Sequence, residues 1–590
     1  MQTHIVADSQ RSGQARGERK HLARSSVSVP ARDSITPDSI SPLLLQSLAQ
    51  PSAYPDDASA ASGVEQVQTH ISHLFLTPDR VYKLRKAVNL GFLDFTTRSE
   101  RNADCIREVQ LNRRLAPDVY LGVAPLERGP NGLMVGELLD RPPFALSDAA
   151  EHSVVMRRLP TGRDALSLLS AGSLTRRQID AVADRIASFH QQNRLPPQRL
   201  ASDQAILQSV IQPFQDCIRA LERAPHDQDV SGTLGVIDRL AHAFLEERGE
   251  QVCAYARRGS RIDGHGDLHL QHVWFERDRD CPVMIDCLEF NPALRQTDVA
   301  CEIAFLAMDL AYRGHGDLAE RLLSRYADAA DEFELYWLVD FYQSYRAVVR
   351  AKVAAIASAD SALGWKQRRA AKESARRHLA FAERILRDRS CGSLILLCGK
   401  VGTGKSTVAE FLAHACGGIA ISSDRLRKKL SGLPPGARVE APTDAGLYSP
   451  QRREAIYEAM LERAAPVVAS GRLALLDASF DTAARRDRAR RWASERGVPV
   501  LLIEVGSEEE ITLDRLAKRQ AAGGSASDAG PEFYATSAAR FEPPNEWPRG
   551  TRLQIRTDAP NWRFDLRRKL RSWRSRNLRA SPAFTAISVG

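Results

Sequence analysis

The sequence predicts two folded parts of different class: an α+β part with a small β-rich lobe and a helical lobe, then an α/β part with a parallel sheet flanked by helices. The first is predicted by short alternating segments that give way, from about residue 166, to stretches of helical period. The second is predicted by buried strands that alternate with helices from Gly392 onward. A chain of 590 residues has room for roughly three to five ordinary domains or two large ones.

Composition places the chain among globular proteins. Hydrophobic residues make up 43% and charged residues 26% of the sequence, which excludes a collagen-like, coiled-coil or wholly disordered chain. No apolar run approaches the roughly 18 residues of a membrane span, so no membrane partner is expected. The formal net charge of +9 permits an anionic partner without requiring one. The 9 scattered cysteines form no CxxC pair, so we expect no zinc site or disulfide framework and a cytoplasmic location.

The predicted elements divide the chain into segments. Residues 1–63 are rich in Ser, Ala, Pro and Gln, a composition that buries too little apolar surface to fold, and we expect a disordered extension. Order is expected to begin near Val64, and residues 73–84 are expected to form a hairpin that turns at Thr77-Pro78-Asp79. The segments are the extension 1–63, the α+β domain 64–386, a linker 387–392, the α/β domain 393–545 and a basic tail 546–590.

The strongest motif is a GxxxxGKS loop that stands between a buried strand and a helix. Its glycines let successive backbone N–H groups turn inward around a phosphate, and the N-terminus of the following helix adds a positive dipole. We expect Lys405 to reach the β- and γ-phosphates of ATP and the Ser406 hydroxyl to ligate Mg²⁺. The residues of this loop predicted to contact the nucleotide are Gly399, Gly402, Thr403, Gly404, Lys405, Ser406 and Thr407.

Polar residues after the next strands indicate what the nucleotide is used for. Asp424 and Arg427 follow the second strand as D-x-x-R, and an Asp near the γ-phosphate can serve as the base of a phosphoryl transfer. A helix cap is the alternative for Asp424. Asp477 ends the strand 473–476, where it could contact the metal shell or act as a surface cap. Arg515 could stabilise the transferring phosphoryl group, or belong to a solvated helix face.

The loop and the D-x-x-R motif together resemble the small P-loop kinases of the polynucleotide kinase, zeta-toxin and gluconate kinase group. The resemblance extends over about residues 393–544. It implies that Asp424 accepts the proton of the acceptor hydroxyl and that Arg427 holds phosphate or substrate.

A second phosphotransfer pattern lies upstream. Asp267 stands in a short His265-Gly266-Asp267-Leu268-His269 segment, and Asp286 ends an apolar strand about a dozen residues later. Kinases use such a pair to orient the acceptor hydroxyl and to ligate Mg²⁺. The segment resembles the HGDLH motif of the aminoglycoside phosphotransferase family, which implies a two-lobed protein-kinase-like fold over 64–386. The resemblance also implies that Lys83 contacts the α- and β-phosphates and pairs with Glu108.

Two departures from that family bear on function. The first hairpin has no glycine-rich loop, so the phosphates of a bound nucleotide must be covered in a different way from that in a protein kinase. His272 stands where the family has an Asn that serves as second metal ligand, and we expect it at the metal. Imidazole suits Mg²⁺ poorly, so a degenerate kinase fold without turnover is the alternative for this domain.

The order of the two parts resembles bacterial fusions of an aminoglycoside phosphotransferase-like domain with a P-loop, AAA family ATPase domain. The resemblance implies an ATP- and Mg²⁺-dependent phosphotransferase acting on a small-molecule hydroxyl acceptor. Two alternatives remain open: an ATP-dependent sensor, and a nucleic-acid 5′-hydroxyl kinase that uses the basic tail for affinity. Nucleic acid is the less favoured partner, because a basic helix face also explains the tail. The sequence contains no motif that identifies the acceptor or the oligomeric state.

Overall fold

The structure, a computed structural model, describes residues 40–89, 93–129, 132–141, 145–147, 149–196, 202–223, 228–276, 281–388, 391–434, 437, 446–522 and 527–577. These residues cluster into two compact units. The first unit falls within Met1–Ser173 and His265–Arg295, and the second within Leu174–Gly264 and Gln296–Gly590. The expected α+β domain 64–386 is therefore divided between the units, and most of its predicted helices fall in the second unit.

The helices and strands of the first 264 residues are α1 (Pro42–Leu48), β1 (Glu65–Gln68), β2 (Ser72–Leu76), β3 (Arg80–Arg85), α2 (Arg98–Asn112), β4 (Tyr120–Gly129), β5 (Gly132–Val135), β6 (His152–Arg157), α3 (Ala165–Ser170), α4 (Arg176–Gln192), α5 (Asp203–Glu222), α6 (Gln228–Arg257) and β7 (Arg261–Asp263). Up to residue 388 follow β8 (Val273–Trp274), β9 (Val283–Met284), α7 (Pro292–Arg295), β10 (Gln296–Asp298), α8 (Val299–Tyr312), α9 (Gly316–Ala330), α10 (Val339–Ala359) and α11 (Trp365–Arg387). The remainder contains β11 (Ser393–Cys398), α12 (Lys405–Cys416), β12 (Ile419–Ser422), α13 (Ser423–Leu430), α14 (Pro450–Ala469), β13 (Leu473–Asp477), α15 (Ala483–Glu495), β14 (Val500–Gly506), α16 (Glu509–Ala522), α17 (Tyr534–Arg540), β15 (Arg552–Arg556) and α18 (Trp562–Asn577).

The first unit is built on a six-stranded sheet of order β1-β2-β3-β6-β4-β5. Each of its neighbouring strand pairs is antiparallel. β2 and β3 form the predicted hairpin, in which the Thr77 N–H donates to the Arg80 carbonyl at 3.0 Å across the turn. Helix α2 packs on the sheet through buried Cys105 and Val109, which share a core cluster with Val123 and Val154. This packing brings a polar side of α2 towards the end of β3.

The expected disordered extension is shorter than residues 1–63. Residues 1–39 lie outside the described residues, but α1 and two short 3-10 helices, Pro51–Ala53 and Ala58–Ser62, occupy most of residues 42–62. Leu44, Leu48 and Tyr54 are buried in one cluster with Phe75 of the sheet. Composition suggested disorder because this small set of apolar residues is diluted by Ser, Ala and Pro, although their spacing suffices to cover one sheet face.

The P-loop domain of the second unit contains a five-stranded sheet of order β12-β13-β11-β14-β15. Each of its described neighbouring pairs is parallel, as predicted from the strand and helix alternation. Parallel strands buried on both faces read as continuous apolar runs, and β11 is buried at every position. Because the carboxyl ends of parallel strands meet at one edge, the loops after β11, β12 and β13 converge there.

The prediction of a basic tail over residues 546–590 is wrong for much of that segment. β15 is the edge strand next to β14, paired from Leu502↔Arg552 to Gly506↔Arg556. Helix α18 buries Trp562, Leu566, Leu570 and Trp573 in the same cluster as strands β11 and β14. The arginines of α18 concealed this apolar stripe, so residues through 577 belong to the domain that was expected to end at 545.

Helices of the second unit join the P-loop domain through partly buried ion pairs. Arg472, next to the start of β13, forms bidentate contacts at 2.8–3.0 Å with Glu320 of α9 and Asp340 of α10. Arg463 of α14 contacts both carboxylate oxygens of Asp331 at 2.7 Å. Such pairs fix geometry more than they add stability, because removing the charges from water offsets their attraction. Among the described residues, we find no helix of the length and apolarity required to cross a bilayer.

Candidate functional site

The GxxxxGKS segment forms a loop in which two positions require glycine. Gly402 and Gly404 have φ values of 80° and 89°, in the left-handed region. A Cβ on Gly402 would lie 2.7 Å from Thr512 Cγ2, and one on Gly404 would lie 3.1 Å from the Thr557 side chain. The loop therefore wraps closely against its neighbours and leads into helix α12, whose N-terminus begins at Lys405.

Lys405 is positioned for an anion. Its Nζ donates to the carbonyls of Gly399 at 3.0 Å and Lys400 at 2.7 Å. Burial lowers the pKa of Lys405, and the nearby carboxylates of Asp477 and Asp424 offset this only in part. A phosphate group would supply further negative charge to this partly buried ammonium.

Ser406 and Asp477, which the sequence suggests as residues near the metal ion, lie next to each other. The Ser406 side chain lies close enough to the Asp477 carboxylate to interact with it, and Asp477 is buried at the end of β13. Burial raises the pKa of Asp477 to about 6. A hydroxyl beside a carboxylate at the edge of a parallel sheet offers the oxygen ligands that Mg²⁺ prefers, so these two residues could hold the ion that accompanies a nucleotide.

Asp424 is not the cap of its helix. The Ser422 side chain caps α13 by accepting the Arg425 N–H, and Asp424 lies in the first turn. Arg427 Nη1 donates to Asp424 Oδ1 at 2.6 Å. Although burial alone would raise it, the Arg427 guanidinium holds the pKa of Asp424 below its usual value. The carboxylate is thus kept ionised, the state in which it can accept a proton.

These residues line one cavity of about 710 Å³. Arg515 of α16 also lines it, where Nη1 donates to Thr557 Oγ1 at 2.8 Å and Thr557 Oγ1 donates to the Thr403 carbonyl at 2.7 Å. Arg515 is therefore tied to the phosphate loop and does not lie on a purely solvated face. Further cavity residues that the sequence patterns did not single out are Tyr448, Arg453, Tyr457, Asp481, Asp528, Arg540, Thr557 and Arg563.

In the first unit, Lys83 of β3 forms the ion pair with Glu108 of α2 that was expected. Lys83 Nζ lies 2.8 Å from Glu108 Oε1 and 3.1 Å from Asp286 Oδ1. Burial opposes it, but the carboxylates of Asp286 and Glu108 raise the pKa of Lys83 above its usual value. Lys83 is thus a cation whose charge is already compensated by two carboxylates.

Arg85, two residues further on the same strand, forms a buried cluster that the sequence did not reveal. Its Nη2 contacts Asp104 and Glu108 of α2 at 2.6 Å each, and Glu289 at 2.5 Å. Burial, more than any neighbour, raises the pKa of Glu289 to about 8. The only sequence signal was the polar character of positions 104 and 108 on one helix face.

Asp267, His272 and Asp286 come together as the motif spacing predicted. His272 Nδ1 lies 2.7 Å from the Asp267 carbonyl oxygen, and His272 Nε2 lies 3.6 Å from Asp286 Oδ2. His269 Nε2 lies 3.7 Å from Asp267 Oδ2. Ligand atoms of Asp267, His269 and His272 all lie within 4.8 Å of one another, so this buried group could hold a metal ion.

Comparison with known proteins identifies relatives of the whole chain and of its P-loop domain. The chain is 33% identical over 489 residues to the "Uncharacterized protein Rv2004c" of Mycobacterium tuberculosis, across 82% of this chain and 91% of the relative. The "Uncharacterized protein Mb2027c" of Mycobacterium bovis matches to the same extent. The family described as "AAA domain" matches residues 394–544. This match confirms the P-loop part of the resemblance noted above.

Two solved structures each show similarity to part of the chain. A gluconokinase from Sinorhizobium meliloti is 21% identical, with a TM-score of 0.23, and the match covers 32% of this chain and 94% of that one. A choline kinase from Cryptosporidium parvum is 12% identical, with a TM-score of 0.36, over 57% of this chain and 94% of that one.

Proposed function

This chain belongs to the same family as Rv2004c of Mycobacterium tuberculosis, and we propose that it is an ATP-dependent phosphotransferase. Its P-loop site transfers the γ-phosphoryl group of ATP to the hydroxyl of a small-molecule acceptor. One observation carries the proposal: the phosphate loop, an ionised Asp424 and Arg427 line a single cavity of about 710 Å³. A loop that only bound nucleotide would have no need of a carboxylate base in the same cavity.

The roles follow from the contacts. Lys405 and the loop N–H groups neutralise the β- and γ-phosphates, and Arg515 adds positive charge as the phosphoryl group moves. A magnesium ion held near Ser406 and Asp477 would neutralise phosphate charge. Asp424 accepts the proton of the acceptor hydroxyl, whose oxygen bonds to the γ-phosphorus while the bond to the ADP oxygen breaks. Arg427 keeps Asp424 ionised and aimed into the cavity.

We extend the proposal to a second nucleotide site in the first unit. There Asp267 is the base, Asp286 is a metal ligand, and Lys83 contacts the α- and β-phosphates, oriented by Glu108. The ion pair of 2.8 Å between Lys83 and Glu108 supports this assignment, since kinases require such a pair for nucleotide positioning. Sensing of ATP without turnover is the competing function for this site.

A screen for phosphoryl transfer tests the proposal. The full-length protein is incubated with γ-labelled ATP and Mg²⁺ against sugars, aminoglycosides and 5′-hydroxyl oligonucleotides. We expect label on a small hydroxyl compound, lost in Asp424→Asn and retained in the control Asp514→Asn, a change of an exposed Asp on α16. Binding of ATP with no transfer to any acceptor or to water would favour a sensor. Transfer to oligonucleotides alone would favour a 5′-hydroxyl kinase.

A further inference from the structure

We propose that a cavity around Trp492 binds an uncharged sugar and that this ligand regulates the P-loop site. The Trp492 cavity has a volume of about 880 Å³, within the range of about 300–1,000 Å³ of sites for small molecules. It is lined by α6, the 3-10 helix Phe333–Trp337, α14 and α15, which all fall in the second unit. The described residues that line it are all different from those that line the P-loop cavity. The regulatory role rests on the proposed function, whereas the binding site does not.

The charges of the Trp492 cavity are balanced. Four arginines and four acidic residues line it. Three ion pairs are formed between them: Arg194 with Glu332, Arg258 with Glu334, and Arg463 with Asp331. A charged ligand would have to compete with one of these pairs, which offsets much of its attraction. The other two residues, Arg496 and Glu462, are exposed and of opposite sign, so they add little attraction for an ion. The lining therefore favours a ligand without net charge.

The polar groups that the cavity offers are those that hydroxyl groups require. The side chains of Gln251, Trp337, Glu462 and Trp492 line it and form no hydrogen bond with another described residue. They provide two indole N–H donors, one carboxylate acceptor and one amide that donates and accepts. A hydroxyl group also donates and accepts, so a compound with several hydroxyls can bond to this mixed set. An uncharged sugar is such a compound.

Two aromatic rings supply the apolar part of the lining. Trp337 ends the 3-10 helix, Trp492 belongs to α15, and both are half-buried. The Arg496 guanidinium lies 4.6 Å from the centroid of the Trp492 ring and orients it. A sugar ring has apolar C–H faces beside its hydroxyls, and packing these faces on indole rings removes apolar surface from water. The cavity thus combines ring packing with hydrogen bonds to hydroxyls.

The end of α9 connects this cavity to the P-loop site. Asp331, which lines the cavity, is the C-cap of α9 with a φ of 57° and contacts Arg463 at 2.7 Å. Two residues earlier, the Ala329 carbonyl accepts a hydrogen bond from Lys429 of α13 at 2.9 Å. Burial lowers the pKa of Lys429, and the Asp331 carboxylate opposes this more than any other neighbour. Because α13 also contains Asp424, a ligand that displaces Asp331 would displace the base as well.

Calorimetric titration of the full-length protein with glucose, mannose, maltose and sucrose tests the binding site. The variants are Trp492→Ala and Glu462→Ala, and the control is Glu458→Ala, which removes an exposed carboxylate of α14 outside the cavity. We expect at least one sugar to bind to the wild type and the control, and about 10-fold weaker binding or more in both cavity variants. Glu462 is exposed, so its replacement tests the site even if Trp492→Ala does not fold.

Two results would overturn the binding site. One is that none of the four sugars binds to the wild type. The other is that a sugar binds to Glu462→Ala as tightly as to the wild type, because the sugar would then lie elsewhere, for example as an acceptor in the P-loop cavity.

Release of label from γ-labelled ATP to any acceptor, including water, tests the regulation. The sugar should change this rate about 5-fold or more in the wild type. The change should be lost in Glu462→Ala, which no longer binds the sugar, and in Lys429→Ala, which binds it but lacks the contact with α9. An equal rate with and without sugar in the wild type, or a change that persists in Glu462→Ala, would overturn the regulatory role. If no label is released under any condition, the proposed function fails, and the calorimetric result still decides the binding site.

Discussion

Lys405, which is partly buried, and Lys83, which is buried, both lie beside aspartates, yet their charges are compensated in opposite ways. Lys405 donates to two main-chain carbonyls, and burial lowers its pKa. Lys83 is paired with Glu108 and Asp286, whose carboxylates raise its pKa. The P-loop site thus contains a cation that lacks a strong counter-charge, and the first unit contains one that already has two.

The difference indicates how each site would respond to a nucleotide. A phosphate adds a counter-ion to Lys405 without breaking an ion pair, so the P-loop site is organised for binding before ATP arrives. Lys83 can take a phosphate only by giving up a carboxylate, which costs part of the gain. A second cation on Asp286 would remove that cost. We therefore expect the P-loop site to bind nucleotide strongly without losing an ion pair. In the first unit, we expect nucleotide binding to depend on a metal ion.

The largest expected effect comes from Lys405→Ala. Loss of this cation should weaken ATP binding at the P-loop site by about 100-fold, the scale of a hydrogen bond to a charged group, and lower turnover further. Calorimetric titration of the full-length protein with a non-hydrolysable ATP analogue measures this. Lys518→Ala removes an exposed lysine of α16 and serves as the control. Unchanged affinity in Lys405→Ala would mean that the loop does not bind phosphate.

Asp424→Asn tests the other half of the P-loop site. ATP affinity should be retained while phosphoryl transfer falls about 100-fold or more, because asparagine cannot take the acceptor proton. Single-turnover rates with any acceptor, including water, compare the two proteins. Ser422→Ala is a useful companion, since it removes the true cap of α13 and should cost about 1 kcal/mol of stability with little loss of chemistry. Equal transfer rates for Asp424→Asn and wild type would return Asp424 to a structural role.

Sequence reasoning succeeded where a continuous apolar run ends in a polar motif. Strand β11 was predicted as the buried strand before the phosphate loop, because a strand buried on both faces has little polar interruption. The edge strand β15 was missed because only Leu553 and Ile555 interrupt its polar residues. The apolar stripe of α18 was also missed, because arginines surround its apolar residues in the sequence.

The residues of the candidate sites also differ in how far the sequence could predict them. Residues that belong to a local motif, such as Lys405 and Asp267, could be predicted as site residues because such motifs depend on backbone turns encoded in a few neighbouring positions. Thr557 lies 154 positions from Thr403, whose carbonyl it contacts, and no local pattern records that approach. The partners of Arg85 were missed for the same reason, since Glu289 is 204 positions away. Long-range polar contacts follow from topology, which a single sequence specifies only indirectly.

A smaller effect would show whether the P-loop site depends on helices outside its own sheet. Arg425 of α13 contacts Asp328 of α9 at 2.8 Å, and Lys429 donates to the Ala329 carbonyl at 2.9 Å. Because α13 also contains Asp424 and Arg427, Arg425→Ala should shift the base and lower transfer several-fold while ATP affinity changes little. Arg568→Ala, which breaks an exposed pair with Asp565, is the control. A loss of ATP affinity equal to the loss of rate would contradict this positioning role.

The smallest expected effect concerns the acid cluster around Arg85 and depends on pH. Burial raises the pKa of Glu289 to about 8 from its ordinary value of 4.5, so between these pH values the folded protein binds a proton that the unfolded chain releases. The stabilisation is complete below about pH 4.5 and disappears as pH rises through about 8. Glu289→Gln cannot lose a proton, so from pH 6 to 9 wild type should lose more unfolding free energy than the variant, on the order of 1 kcal/mol. Denaturant unfolding at both pH values measures the difference, with the exposed Glu100→Gln as control. Parallel profiles for wild type and Glu289→Gln would mean that Arg85 keeps Glu289 ionised. The acid cluster around Arg85 would then consist of compensated charges, as the pairs of Lys83 do.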